Sequence, residues 1–212
     1  MDSDILKGRH GIVVVGAGGH ARVVVSALRA AREPVAAVYD DDRKLWDKRL
    51  LGVPIRGPID ELCEFEGQAV IGIGDARVRE SLVNRLKIHW ATVIHPLSFV
   101  DPAVPLGEGC VIFAGAVVQP ESEIGAHVVV NTSATVDHNC NVGDFAQIAP
   151  GANLCGSVSI GNGTFVGANA VVIENLRVGR WSIIGAGAVV IRDLPDNVVA
   201  VGCPARIIKQ IP

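Results

Sequence analysis

Two rhythms of apolar and polar positions divide the chain. Up to about residue 95, short apolar runs alternate with stretches of helical periodicity. Ile12, Val13, Val14 and Val15 form an unbroken apolar run that ends in the glycine turn GAGG. A run of this length bounded by glycine predicts a buried strand. The following HARVVVSALRAAR places apolar residues on one helical face, and PVAAVYDDD predicts a second strand ending in acids. GQAVIGIGDARVRESLVNRL repeats strand, glycine turn and helix. Such alternation predicts a small Rossmann-like parallel sheet flanked by helices.

From Val100 the period becomes six. Stepping by six gives Val100, Leu106, Ile112, Val118, Ile124, Val130, Val136 and Val142. It continues through Ile148, Leu154, Ile160, Val166, Val172, Val178, Ile184 and Val190. Four residues after each aliphatic sits a mostly small residue, Cys110, Ala116, Ala134, Cys140 and Ala146 among them. Gly107, Gly125, Gly143, Gly161 and Gly179 add a longer period of 18, so three hexads make one coil. This predicts an all-β parallel β-helix, a triangular prism with aliphatics stacked on its axis. The spaced glycines are expected to take corner conformations that a Cβ would oppose.

Composition agrees with such a core. Apolar residues make up 49% of the 212 positions, aromatics only 4%, and glycines number 24. The net charge of −3, with no basic stretch interleaved with aromatics, argues against nucleic-acid binding. Five cysteines without a CxxC pair fit reduced thiols rather than a disulfide framework. The opening MDSDILKGRHG is too charged for a signal peptide. Apolar runs fall well short of the about 20 residues a membrane span needs. A cytoplasmic protein without membrane insertion is expected.

GAGGHA fits GxGxxA through Gly16, Gly18 and Ala21, after a strand and at the start of a helix, with Asp40 ending the next strand. Glycines there let backbone approach a pyrophosphate, whose charge a helix N-terminus favours. Only one mononucleotide-binding half precedes the repeats, so a nucleotide-sugar fits better than NAD. The candidate binding residues are Gly16, Gly18, Gly19 and His20 on the turn, Asp40 and Asp41 after the second strand, and Gly74 and Asp75 after the third. An NAD-binding protein stays open as an alternative.

TVDHNCNV, residues 135–142, holds the densest polar cluster. With the 18-residue coil as ruler, His138 is an outward residue between Pro120 and Gly156. A glycine there is expected to leave open space and a bare amide beside the imidazole. Acyl transfer needs a base and an oxyanion donor, for which His138 and the Gly156 amide are the candidates. A zinc site needs several converging histidines, and none lies above or below His138. His127, at another offset, reads as an ordinary surface histidine. Cys110 and Cys140 occupy small packing positions, without a nucleophile–base pair.

GAGGHARVV, YDDD, Ile94-His95-Pro96, NTSATVDHNC and GCPAR occur in the same order as in the sialic acid O-acetyltransferase-like sugar acyltransferases. The tail VGCPAR resembles their VxGxPAK/R ending. That group includes N-acetyltransferases of bacterial UDP-4-amino-sugar (bacillosamine-type) and GDP-perosamine pathways. The resemblance implies a left-handed β-helix, a nucleotide-sugar-binding domain at 1–98 and an acyltransferase domain at 99–212. It implies acetyl-CoA-dependent N-acetylation of the 4-amino group of a nucleotide-linked 4-amino-4,6-dideoxysugar, in O-antigen or other surface-glycan biosynthesis. O-acetylation of a sialic acid or related hydroxyl is the alternative. His138 matches the general base, Gly156 the donor to the acetyl carbonyl, and Asn131 and Thr132 possible sugar contacts. Gln147, Ala168 and Ala186 are the expected CoA-binding residues. No metal is expected, and the assembly implied is a homotrimer with sites between adjacent β-helices. One departure stands out: relatives often carry an acid where this chain has Asn139.

Overall fold

A computed structural model describes residues 11–212; the charged opening stretch, residues 1–10, lies outside the described residues. The chain divides into two compact units on either side of the His95–Pro96 bond.

The first unit is a six-stranded sheet in the order β3-β4-β2-β1-β5-β6. Its strands are β1 (Ile12–Val15), β2 (Val35–Tyr39), β3 (Arg49–Leu50), β4 (Val53–Arg56), β5 (Gln68–Ile71) and β6 (His89–Trp90). All neighbours are parallel except β3 and β4. Every residue of β1 is buried, as its unbroken apolar run predicts. Helix α1 (Gly19–Ala30) buries Ala21, Val24, Val25, Ala27 and Leu28, the stripe read from the sequence. Helix α2 (Ala76–Arg85) starts at Asp75, whose carboxylate accepts from the Val78 amide at 3.0 Å.

The second unit is the parallel β-helix. Two-residue strands pair in register with those 18 residues on, Val117 with Thr135 and Val118 with Val136. Three faces result. The Thr135 face stacks Phe99–Val100, Val117–Val118, Thr135–Val136, Asn153–Leu154, Val171–Val172 and Val189–Val190. The Asn141 face stacks Glu123–Ile124, Asn141–Val142, Ser159–Ile160 and Arg177–Val178. The Gln147 face runs from Val111–Ile112 through Val129–Val130, Gln147–Ile148, Phe165–Val166 and Ile183–Ile184. It ends on Val198–Val201 and the antiparallel tail strand Arg206–Gln210. The aliphatics spaced by six form one column, only Val100 and Leu106 being partly open.

Two expectations need correction. The glycines spaced by 18 are not the residues with left-handed backbone. They allow close stacking of coils: a Cβ on Gly161 would stand 2.5 Å from the Arg180 amide nitrogen, and one on Gly125 would stand 2.7 Å from that of Asp144. The left-handed corners lie elsewhere, in ladders such as Gly109, His127, Phe145, Gly163 and Trp181, with φ between 55° and 67°. Gly161→Ala is therefore expected to cost about 1–3 kcal/mol by overpacking, read as a lower denaturation midpoint with little change in m-value.

His127 is the second correction. It is 2% exposed, not a surface histidine. At its corner the ring folds into the space a Gly109 Cβ would take and stacks on Phe145, centroids 5.3 Å apart and planes 4° apart. The one-dimensional pattern does not show that corner side chains turn back along the column.

Candidate active site

The corner between the Thr135 and Asn141 faces carries residues 137–140. Val136 and Cys140 bracket it and point inward, 0% and 1% exposed. Burial also pushes the Cys140 thiol up, which opposes a thiolate nucleophile. Asp137 caps the corner, accepting from the His138 main-chain N–H at 2.8 Å. His138 and Asn139 are exposed. His138 Nδ1 lies 2.8 Å from Asn139 Oδ1, and Asn139 Nδ2 donates to Glu121 Oε2 at 2.6 Å. The imidazole is thus held through Nδ1, leaving Nε2 for proton transfer.

Gly156 lies one coil on, but it does not leave the open space expected. A Cβ there would sit 2.6 Å from His138 Cε1 and 2.7 Å from Nε2, so the imidazole itself fills the gap. Neighbouring amides are paired, Cys155 N with Val172 O at 3.0 Å and Ser157 N with His138 O at 2.9 Å. The Gly156 amide makes no backbone hydrogen bond among the described residues. A held imidazole thus lies beside an amide that can face developing negative charge.

The glycine turn of the first unit has its own logic. Gly16 has φ +99°, and a Cβ there would meet Ile73 Cγ1 at 2.5 Å, so the turns after β1 and β5 abut. A Cβ on Gly72 would meet that of Ala21 at 2.8 Å, which explains the small third residue of the motif. Gly18 and Gly19 face open space, and α1 has no side-chain cap, so its first amides can meet an anion. Asp40 braces the turn: its carboxylate accepts from the Ala17 amide at 2.7 Å and the Asp42 amide at 2.8 Å. Asp41 accepts from the Ile59 amide at 2.8 Å, and Asp75 is the cap of α2. These acids organise the rim of the sheet as well as lying on it. Gly74 turns its carbonyl to the buried Arg79 guanidinium.

Burial, reinforced by the Arg79 charge, lowers the His20 imidazole to about 4 from its usual 6.5. The folded chain therefore holds this ring neutral where the unfolded chain has begun to protonate it. Stability is expected to be full above about pH 6.5 and to fall as pH drops towards 4. Urea unfolding of the protein and of His20→Gln at pH 7 and 4.5 checks this: the variant should lose less on acidification.

The family profile described as "PglD N-terminal domain" matches residues 11–86, and that described as "Bacterial transferase hexapeptide (six repeats)" matches residues 139–174 and 157–192. PerB from Caulobacter crescentus, solved with CoA and GDP-perosamine, is 40% identical, with a TM-score of 0.89 over 94% of this chain and 97% of that one. The acetyltransferase domain of PglB from Neisseria gonorrhoeae FA1090, solved with acetyl coenzyme A, is 33% identical. Its TM-score is 0.88 over 93% of this chain and 98% of that one. UDP-N-acetylbacillosamine N-acetyltransferase of Bacillus subtilis (strain 168) is 39% identical over 111 residues, 49% of this chain and about half (51%) of that protein. The chain belongs to the hexapeptide-repeat nucleotide-sugar N-acetyltransferase family. The fold class is accordingly a Rossmann-like α/β unit followed by a left-handed parallel β-helix.

In this family member the remaining candidate residues sit away from His138. Asn131, Thr132, Ala168 and Ala186 occupy the opposite corner of the Thr135 face, with Thr132, Ala168 and Ala186 in one ladder. Asn131 Oδ1 accepts from the Thr132 amide at 2.8 Å. Gln147 lies between Val129 and Phe165 on the next face, and its Oε1 is buried with no hydrogen-bond partner among the described residues. Among those residues no cluster could hold a metal ion, and no helix is long and apolar enough to cross a membrane. The residue that sequence reasoning missed is Glu121. The ruler that put Pro120 under His138 also puts Glu121 under Asn139.

Proposed function

We propose that the chain transfers the acetyl group of acetyl-CoA to the 4-amino group of a nucleotide-linked 4-amino-4,6-dideoxysugar, GDP-perosamine or a UDP-4-amino-sugar, in surface-glycan synthesis. The observation that carries this reading is the His138 imidazole, held through Nδ1 and lying against Gly156. The likeness to two solved enzymes over more than nine-tenths of the chain supports it. The neutral amine attacks the thioester carbonyl. His138 Nε2 takes the proton that the new C–N bond makes acidic. The Gly156 N–H donates to the oxyanion, and the CoA thiolate leaves with the proton carried by His138. The glycine turn takes the diphosphate, and Asp40 and Asp41 lie at the rim for the nucleoside.

The working unit is a homotrimer in which one chain supplies His138 and a neighbour much of the CoA surface. Supporting this, His138 and the Ala168–Ala186 ladder lie at opposite corners of one face. The Asn141 face is polar outward, through Glu123, Asn141, Ser159 and Arg177. The Gln147 face instead exposes Phe165 and Ile183, beside Ile207 and Ile208 of the tail strand, a surface suited to a second copy.

The test is a substrate panel with acetyl-CoA, read by mass. Acetylation of the 4-amino sugar linked to GDP or UDP is expected. Acetylation of a sugar hydroxyl alone, or no thioester cleavage with any sugar, overturns the reading. A thermal-shift screen of GDP, UDP, TDP and CoA identifies the base.

A further inference from the structure

The family resemblance implies an acid at position 139; this chain has Asn139 there, and a carboxylate lies one coil away. Asn139 and Glu121 are successive residues of one corner ladder, each with φ 59°. That shared backbone brings their side chains together across the coil boundary, Nδ2 to Oε2 at 2.6 Å. The other Asn139 amide atom, Oδ1, lies 2.8 Å from His138 Nδ1.

A carboxylate only accepts hydrogen bonds, so the Asn139 atom facing Glu121 must be its NH2. The atom facing His138 must then be the carbonyl oxygen. A carbonyl oxygen accepts but cannot donate, so Nδ1 must carry the hydrogen. Nε2 is left with its lone pair, the form a base requires. We infer that Glu121 is a positioning residue: it fixes the amide orientation of Asn139 and thereby the tautomer of His138. The inference rests on the proposed role of His138 as base.

Among the described residues, no other acid is hydrogen-bonded to Asn139 or to the His138 ring. Asp137 accepts from the His138 main-chain N–H rather than the ring, and Gly156 opposite offers no side chain. Glu174 and Asp137 act on the Cys155 thiol, where their charges add to the effect of burial in raising it. The carboxylate thus stands one coil below position 139, and the Asn139 amide links it to the imidazole.

The first test is Glu121→Gln. Glutamine can present a donor or an acceptor, so the Asn139 amide can turn over and offer NH2 to His138. Complete loss of the correct tautomer costs about 10⁴ in a serine-protease triad, and partial loss here should lower kcat about 10- to 100-fold with KM for both substrates nearly unchanged. In ligand-free protein labelled with 15N-histidine, the His138 signal should move from the Nδ1–H towards the Nε2–H tautomer. His138→Ala identifies that signal.

The second test uses Asn139→Asp. Alone, it sets two carboxylates about 2.6 Å apart and should lower activity. Adding Glu121→Gln should then raise it, so the same substitution harms one background and helps the other. A merely structural Glu121 gives no such reversal. Wild-type kcat and an unchanged tautomer in Glu121→Gln overturn the inference, as does a further loss in the double variant. The nuclear magnetic resonance readout needs no substrate, so failure of the base assignment itself, seen as an active His138→Ala, is a separate result.

Discussion

His138→Ala is expected to lower turnover by about 10²- to 10⁴-fold, the usual contribution of a general base, while binding of CoA and nucleotide stays close to wild type. Asn139 holds Nδ1, so Nε2 is the only ring nitrogen able to take the amine proton. The side chain is exposed and the inward column beneath it is complete without it, so the substitution should not unfold the protein. The split between kcat and binding therefore separates loss of a base from loss of structure. Steady-state kinetics with isothermal titration of both ligands checks it. Near-wild-type turnover would remove His138 from the mechanism.

Gly156→Ala should be almost as damaging, although it deletes no functional group. The new Cβ would need space within 2.7 Å of two imidazole atoms, so the ring must swing away. A misplacement of about 1 Å can cost about 10²-fold. Combination with His138→Ala separates the roles of this glycine. If it only makes room for the ring, the double variant should be no slower than His138→Ala alone. A further loss in the double variant would show that this glycine does more than make room for the ring. Comparable thermal midpoints for the single variants would locate both effects in the chemistry.

The arrangement of this corner was legible because the β-helix is a ruler. A spacing of 18 put Gly156 beside His138, and the six-residue step sent Val136 and Cys140 inward. The same step marked the column that forms the core. What the ruler lacks is the direction a corner side chain takes. His127 reads as exposed by offset alone, yet its ring turns along the axis over Gly109. The glycines spaced by 18 were visible, but their cause was not, because a clash with the next coil and a left-handed φ both leave a bare glycine. In the first unit the acids after β2 read as ligand contacts, while their hydrogen bonds to Ala17 and Ile59 depend on turns brought together only by folding. Glu121 was within reach of the ruler. It shows only when Asn139 is set against its neighbours in the column rather than those in sequence.

Each coil gives the next the same backbone hydrogen bonds, which makes 18 residues a unit of growth. An insertion of that length adds a storey to the prism and leaves every later side chain on its face. An insertion of one residue shifts every later side chain off the position its ladder assigns. The pieces around His138 occupy three successive storeys, at Glu121, Asn139 and Gly156, so that block cannot be interrupted. Storeys above Gly156 can vary in number, which changes the height of the prism without disturbing the block around His138.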